Sequence, residues 1–241
     1  MDLEGTLGRG ACSRVIKAVS SKTHTPYALK QFPVATEEHS LMLSQELQTL
    51  ARVDCQCLVK LEGAYFQQNT VTLVLEYMDR GSLDHLLMSS HALSERVVGA
   101  IAYQLLWGLA YLHYENRMHR DVKPANILLN SRGNVKLSDF GISSSCKPTE
   151  MHTTVVGTTR YMAPERLRAL PYGTPSDVWS AGLVLCQCTS GIEPFHEIGS
   201  MVRKKTRLVK AAQHGLCQVS HVRLFHSGRT CGYSGRNGRL W

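Results

Sequence analysis

The side chains best suited to chemistry are Asp121, Asn126 and Asp139, which follow one another closely in the middle of the chain. Between Asn126 and Asp139 lie two short apolar runs, separated by a polar stretch at residues 130–134. This pattern predicts a β-hairpin. Antiparallel pairing would bring Asn126 and Asp139 to the same end of the hairpin. An amide oxygen beside a carboxylate suits Mg²⁺, which often shares its ligands with substrate phosphates.

Asp121 lies one short loop before the hairpin, and Lys123 adds a positive charge beside it. The segments that contain these residues read His-Arg-Asp-Val-Lys-Pro-Ala-Asn and Asp-Phe-Gly, and they resemble the catalytic and metal-binding loops of protein kinases. The resemblance implies that Asp121 orients a substrate hydroxyl and accepts its proton. It also implies that Lys123 offsets charge on the transferred phosphoryl, and that Asn126 and Asp139 hold Mg²⁺. A lysine at position 123 is typical of serine/threonine-type kinases.

Composition indicates a globular chain with a sizeable core, since 43% of the 241 residues are hydrophobic. No apolar run approaches the length of a membrane span, and the amino terminus is acidic, unlike a secretory signal. We therefore expect a cytoplasmic protein without stable membrane insertion, with entry into the nucleus left open. The eight cysteines show no Cys-x-x-Cys spacing, which favours reduced thiols over disulfides.

The net charge of +8 comes from one end of the chain. Residues 201–241 contain nine bases and no acid, whereas residues 1–200 hold 18 bases and 19 acids. The body therefore gives no reason to propose nucleic-acid binding. The basic segment lacks apolar periodicity and is rich in glycine, so it is predicted to be a disordered tail. A solvated run is favoured there over a binding site for an acidic partner or membrane surface.

Residues 6–15 contain the pattern Gly-x-Gly-x-x-Ser-x-Val, followed by a predicted strand. Glycines let backbone amides approach phosphates, although this pattern alone fits an ordinary turn equally well. The kinase resemblance extends through it to Lys30, which would pair with the α- and β-phosphates of ATP. Val15 and Ala28 would cover the adenine ring. The resemblance implies the following further nucleotide-contacting residues: Leu7, Gly8, Arg9, Gly10, the gatekeeper Leu75, the hinge residues Glu76 and Met78, and Leu128.

Residues 38–51 carry leucines at helical spacing and predict an amphipathic helix with Glu46 at the edge of its apolar stripe. The resemblance implies that Glu46 pairs with Lys30, as the corresponding helix glutamate does in protein kinases. A solvated glutamate is the alternative.

The remaining patterns predict strands at 59–61 and 71–75 and a core helix over residues 98–112, directly before the catalytic loop. Strands come first and helices second. The predicted fold is therefore α+β with two lobes, as in protein kinases, and a nucleotide in the cleft between them. The N-lobe would span about 1–78 and the C-lobe about 79–200.

The loop after Asp-Phe-Gly, the segment Met-Asp-Arg-Gly-Ser-Leu from residue 78, and Tyr-Met-Ala-Pro-Glu-Arg-Leu from residue 161 resemble the MAP kinase kinase group. In that group an upstream kinase phosphorylates two Ser/Thr residues four positions apart. Thr149 and Thr153 have this spacing, and Thr154 is an alternative second site. Phosphates there could pair with Arg120 and order the loop. The alternative is that these threonines are ordinary polar loop residues.

The resemblance covers residues 3–197 and includes Asp177, which would brace the backbone of the catalytic loop. We therefore expect a kinase domain over 1–200 that is incomplete after helix F. The leading hypothesis is a dual-specificity kinase that transfers the γ-phosphoryl of MgATP to Thr and Tyr of a MAP kinase and is itself activated by an upstream kinase. The alternatives are a serine/threonine kinase of another tier, or an inactive ATP-binding or interaction module.

Overall fold

A computed structural model of the chain describes residues 1–9, 13–33, 47, 51, 53–67, 69–90, 92–140 and 159–195. A five-stranded sheet occupies the part up to residue 76, and a mainly helical part follows. The predicted two-lobed α+β architecture is thereby confirmed. Within the described residues, no helix is both long and apolar enough to cross a membrane.

The N-lobe sheet is antiparallel throughout and has the strand order β1-β2-β3-β5-β4. Its strands are β1 (Asp2–Arg9), β2 (Arg14–Val19), β3 (Pro26–Pro33), β4 (Leu61–Gln67) and β5 (Thr70–Glu76). Strand β3 lies between β2 and β5, where Lys30 is opposite Val15 on one side and Leu73 on the other. Hydrogen bonding along both edges holds the backbone of Lys30 in place.

The C-lobe is built around one long helix. Its elements are α1 (Leu83–Ser89), α2 (Glu95–Tyr114), a 3₁₀ turn (Pro124–Asn126), the hairpin strands β6 (Ile127–Leu129) and β7 (Val135–Leu137), α3 (Pro164–Leu167) and α4 (Pro175–Ser190). Helix α2 confirms the predicted core helix, and its Leu105, Leu109 and Leu112 are almost fully buried. They share one core with Leu137 of the hairpin and Val184 of α4.

Two details of the helix and strand predictions were wrong. Leu106, expected on the buried face of α2, is 44% exposed, because the apolar stripe is narrower than its pattern indicated. The strand predicted at 59–61 begins at Leu61, and the N–H of Val59 instead donates to the carbonyl of Leu137 in β7 at 2.8 Å. A short apolar run does not reveal which strand it will pair with.

Several predicted features lie outside the described residues. These are Gly10, Glu46, Thr149, Thr153, the tail 201–241 and the expected domain boundary near residue 200. Of the predicted helix over 38–51, the structure describes only Leu47 and Ala51. The N–H of Ala51 donates to the carbonyl of Leu47 at 2.8 Å, which is the hydrogen-bond spacing of an α-helix.

Candidate active site

The predicted hairpin is confirmed, with Ile127 opposite Leu137 and Leu129 opposite Val135. The N–H of Ser138 donates to the carbonyl of Asn126 at 2.9 Å. Asn126 therefore faces Ser138, and Asp139 follows one residue beyond the paired end. The amide and the carboxylate lie at the same end of the hairpin, as the sequence predicted.

The catalytic loop places two polar side chains, those of Lys123 and Asn126, beside the carboxylate of Asp121. Lys123 Nζ lies 2.8 Å from Asp121 Oδ2, and Asn126 Nδ2 donates to the same oxygen at 3.0 Å. Asn126 Nδ2 also donates to the backbone carbonyl of Asp121 at 2.8 Å. Nδ2 of Asn126 donates both of these hydrogen bonds. The side-chain oxygen Oδ1 is therefore the atom able to bind a cation.

The second carboxylate oxygen of Asp121, Oδ1, is buried and has no hydrogen-bond partner among the described residues. A buried acceptor without a donor is costly in a folded protein and commonly marks a functional position. Asp121 thus keeps one carboxylate oxygen free of donors from the described residues, beside the positive charge of Lys123.

Lys30 and Asp139 join the two lobes. Lys30 Nζ lies 2.6 Å from Asp139 Oδ1, and the two side chains are 18% and 33% exposed. The backbone of Asp139 has φ 65°, a left-handed conformation that is uncommon for a residue other than glycine. The structure therefore brings the predicted phosphate-binding lysine and metal-binding aspartate together. The predicted partnership of Lys30 with Glu46 is outside the described residues.

Asp177, in the first turn of α4, holds the backbone of the catalytic loop, as predicted. Its carboxylate is only 1% exposed and accepts the N–H groups of His119 and Arg120, each at 2.8 Å. His113 Nε2 lies 3.0 Å from the same carboxylate. Arg120 has φ 68°, and its carbonyl accepts a hydrogen bond from Arg166. These bonds on both sides of Arg120 hold its strained backbone.

His119 was quoted in the catalytic motif but was not predicted to act at the site. It is buried, and its Nε2 donates to the carbonyl of Ser138 at 2.8 Å. Its Nδ1 accepts the N–H of Asp121 at 3.2 Å, so the neutral ring with its proton on Nε2 satisfies both contacts. Burial lowers the pKa of His119, against the opposing effect of the Ser138 carbonyl. His119 therefore links the catalytic loop to the end of β7 as a neutral spacer.

Folding stability should fall as pH drops below about 6.5, the ordinary pKa of histidine. The folded pKa of His119 is below that value, so the unfolded chain binds a proton first and is favoured in acid. The stabilisation is fully present above this pH and is lost as pH falls toward the folded pKa. The midpoint of urea unfolding measured from pH 5 to 8 should show a smaller acid loss in His119→Gln than in the parent chain. His24→Gln, at an exposed histidine, is the matched control, and equal acid losses in His119→Gln and the parent would contradict the assignment.

An ion pair between Glu76 and Lys136 connects the hinge to the hairpin and was not predicted. Lys136 Nζ lies 2.6 and 2.8 Å from the two carboxylate oxygens of Glu76, and the N–H of Lys60 donates to one of them at 2.7 Å. The lysine at the middle of the Val135–Leu137 strand was the available sequence signal, but nothing in the local pattern identifies its partner 60 residues earlier. The Glu76 side chain is held by these contacts, while its hinge backbone borders the predicted nucleotide site.

Lys136→Met should raise the KM for ATP about three- to tenfold with little change in kcat. The pair is mostly buried, at 13% and 24% exposure, and removing it frees the hinge without touching the catalytic loop. This rise in KM corresponds to a loss of about 0.7–1.4 kcal/mol in binding free energy. That range is close to the largest contributions measured for ion pairs at protein surfaces. Initial rates at varied ATP concentrations measure it, with Lys60→Met, whose amine is exposed, as the matched control. An unchanged KM would show that the pair does not position the hinge.

The sheet register brings the predicted adenine-contacting residues together. Ala28 lies opposite Leu75, and Val15 lies opposite both Gly8 and Lys30. A Cβ added to Gly8 would meet nothing within 4 Å, so there is open space beside Gly8. The other predicted contacts lie as follows: Leu7 is exposed in β1, the backbone of Arg9 ends β1, Met78 is buried after the hinge, and Leu128 lies in β6 across from Lys136.

This geometry can be compared with known proteins. The sequence matches the protein-family model for the protein kinase domain over residues 1–224. The chain belongs to the protein kinase family. The matched region continues past residue 197, the last residue of the motif-based resemblance.

Several relatives of this kinase chain are MAP kinase kinases. It is 38% identical over 200 residues to mitogen-activated protein kinase kinase 3 of Arabidopsis thaliana, covering 81% of this chain and 38% of the relative. It is 38% identical over 192 residues to mitogen-activated protein kinase kinase 1 of the same plant, covering 78% and 54%. It is 36% identical over 192 residues to dual specificity mitogen-activated protein kinase kinase 1 of Dictyostelium discoideum, covering 78% and 29%. The chain thus spans between 29% and 54% of the length of these relatives.

Proposed function

We propose that this chain transfers the γ-phosphoryl of MgATP to a protein hydroxyl. The observation that carries the proposal is the Asp121 carboxylate, whose Oδ2 lies 2.8 Å from Lys123 Nζ and whose buried Oδ1 has no hydrogen-bond partner among the described residues. Phosphoryl transfer depends mainly on positioning and on neutralising charge, and this arrangement supplies both.

The side chains around Asp121 fit ATP and Mg²⁺. Asn126 Oδ1 and the Asp139 carboxylate are hard oxygen ligands at one end of the hairpin, and Lys30 Nζ is beside Asp139. A bound Mg²⁺ would neutralise the charge of the nucleotide phosphates. Lys30 would bind phosphate oxygens, and the open space at Gly8 would admit them under the glycine-rich loop.

Asp121 would orient the substrate hydroxyl and accept its proton, while Lys123 stabilises the charge that develops on the transferred group. His119 and Asp177 would act indirectly, because their hydrogen bonds position the backbone of the loop that contains Asp121.

The relatives that carry the name MAP kinase kinase support a more specific substrate. We propose that the acceptor is the activation loop of a MAP kinase, phosphorylated on Thr and Tyr, and that an upstream kinase activates this chain. The similarity over about four fifths of the chain is the ground for this part of the proposal.

The test is incubation of the purified chain with labelled MgATP and a catalytically dead MAP kinase. Label on both Thr and Tyr of the activation loop is expected, and Asp139→Asn should abolish it. Label confined to Ser/Thr of other substrates would instead assign the chain to another tier of kinase. Incorporation equal to that of Asp139→Asn would indicate an inactive ATP-binding or interaction module.

Alanine at both Thr149 and Thr153 should prevent activation by an upstream kinase. The two threonines are four residues apart, as the resemblance to MAP kinase kinases requires. Phosphate at these positions would add charge able to pair with arginine. Activity is measured before and after treatment with the upstream kinase, and Thr189→Ala, which alters a threonine at the surface of α4, is the control. Full activation of the double variant would exclude these sites.

A further inference from the structure

Ser176 lies in the first turn of α4, directly before Asp177, and it is fully buried. Its hydroxyl Oγ donates to the carboxylate oxygen Oε1 of Glu165 at 2.6 Å. Glu165 belongs to the first turn of the short helix α3 and is partly exposed. A hydroxyl that donates to a carboxylate makes a short, strong hydrogen bond, and a buried hydroxyl needs such a partner. This bond fastens α3 to the beginning of α4.

A second serine on the same face of α4 holds the segment that leads into α3. Ser180 is four residues after Ser176, so the two side chains project from one face of the helix. The hydroxyl of Ser180 donates to the backbone carbonyl of Tyr161 at 2.7 Å, in a buried region. Between the two attachment points, Ala163 is fully buried. The segment from Tyr161 to Glu165 is therefore attached to α4 at both ends.

Helix α3 also contacts the catalytic loop, through the residue that follows Glu165. The guanidinium of Arg166 donates to the backbone carbonyl of Arg120. On the other side of the same residue, the N–H of Arg120 donates to the Asp177 carboxylate at 2.8 Å. The first turn of α4 is thus connected to both backbone polar groups of Arg120. Asp177 binds the N–H directly, and Ser176 is connected to the carbonyl through α3.

We infer that Ser176 is a positioning residue for phosphoryl transfer, an inference that rests on the function proposed above. Arg120 has a left-handed backbone with φ 68°, and Asp121 is the next residue. Loss of the Ser176 hydroxyl would release the Glu165 carboxylate to water and loosen α3. Arg166 would then hold the Arg120 carbonyl less firmly, and the strained backbone would relax and displace Asp121.

Ser176→Ala should lower the kcat for phosphoryl transfer by about tenfold, because small displacements of a reacting group have effects of this size or larger. The KM for ATP should stay unchanged, since Lys30 and the hinge are outside this path of contacts. Initial rates with MgATP and a catalytically dead MAP kinase measure both constants. Ser190→Ala is the matched control, because its exposed hydroxyl bonds within the last turn of α4. A kcat equal to that of the parent, or a change confined to the KM for ATP, would overturn the inference.

A double-mutant cycle with Arg166→Met separates this path from a purely structural role of Ser176. If Ser176 acts through α3 and Arg166, the two substitutions interrupt the same chain of contacts, and their effects are not independent. Ser176→Ala should then lower kcat much less in the Arg166→Met background than in the parent. A general loss of packing in α4 would instead lower kcat by the same factor in both backgrounds, and that result would refute the inference.

Hydrogen–deuterium exchange of the purified full chain tests the same contacts without reference to activity. The N–H groups of His119 and Arg120, which bind Asp177, should exchange faster in Ser176→Ala than in the parent. Those of the core helix α2 around Leu109 should exchange at the parent rate. Unchanged exchange at Arg120, or equal acceleration in α2, would contradict a specific role for Ser176. If the parent transfers no phosphoryl group, it is the proposed function that fails, while the exchange rates still decide whether Ser176 holds the catalytic loop.

Discussion

Asp121→Asn is expected to lower the kcat for phosphoryl transfer by about 10²–10⁴-fold, with little change in the KM for ATP. A general base contributes an effect of this size, and an amide cannot accept the hydroxyl proton. The substitution keeps the shape of the side chain and an acceptor near Lys123. It changes the one buried carboxylate oxygen that lacks a hydrogen-bond partner among the described residues.

Initial-rate kinetics with a catalytically dead MAP kinase, together with circular dichroism, measure this effect. Asp54→Asn is the matched control, since Asp54 is exposed and lies outside the site. A kcat within tenfold of the parent for Asp121→Asn, in a chain that remains folded, would argue against Asp121 as the proton acceptor.

Asp177→Ala is expected to destabilise the fold by about 2–6 kcal/mol and to remove most of the activity. The substitution leaves the N–H groups of His119 and Arg120 without their acceptor in a buried region. Each unsatisfied buried donor costs about 1–3 kcal/mol. Arg120 has a left-handed backbone that its neighbours must hold, so the loop should relax and carry Asp121 away from its position.

The midpoint and slope of urea unfolding give the stability change. Asp177→Asn should lie between the parent and Asp177→Ala, because the amide keeps one acceptor oxygen and similar volume. Asp54→Ala, at an exposed carboxylate, should leave the midpoint unchanged. Matching midpoints for Asp177→Ala and the parent would mean that the catalytic loop does not depend on this carboxylate.

The elements that the sequence predicted well are those whose signals are local. The turn sequence at 130–134 determines the hairpin, and the 3.6-residue spacing from Val98 to Leu112 determines α2. The position of Asp177 on α4 and its role in holding the catalytic loop came from the resemblance to protein kinases. The family pattern thus supplied one long-range contact that spacing alone does not contain.

The features that the sequence did not predict depend on partners far away in the chain. His119 binds the carbonyl of Ser138, and Lys136 pairs with Glu76, which is 60 residues earlier. Such contacts form only when the hairpin packs against the hinge and the catalytic loop. The local spacing of apolar residues does not predict them. The start of the strand predicted at Val59 was wrong for the same reason. The N–H of Val59 donates to the carbonyl of Leu137 in the C-lobe, and β4 begins only at Leu61.

The contact between Lys30 and Asp139 has a consequence for the order in which ligands bind. The carboxylate that would hold Mg²⁺ is already neutralised by an amine at 2.6 Å, so a cation arriving alone must compete with Lys30 for the same oxygen. Nucleotide phosphates offer Lys30 another partner and bring oxygen ligands of their own to the cation. Free Mg²⁺ should therefore bind this chain weakly, and titration calorimetry should detect tight cation uptake only when the nucleotide is present.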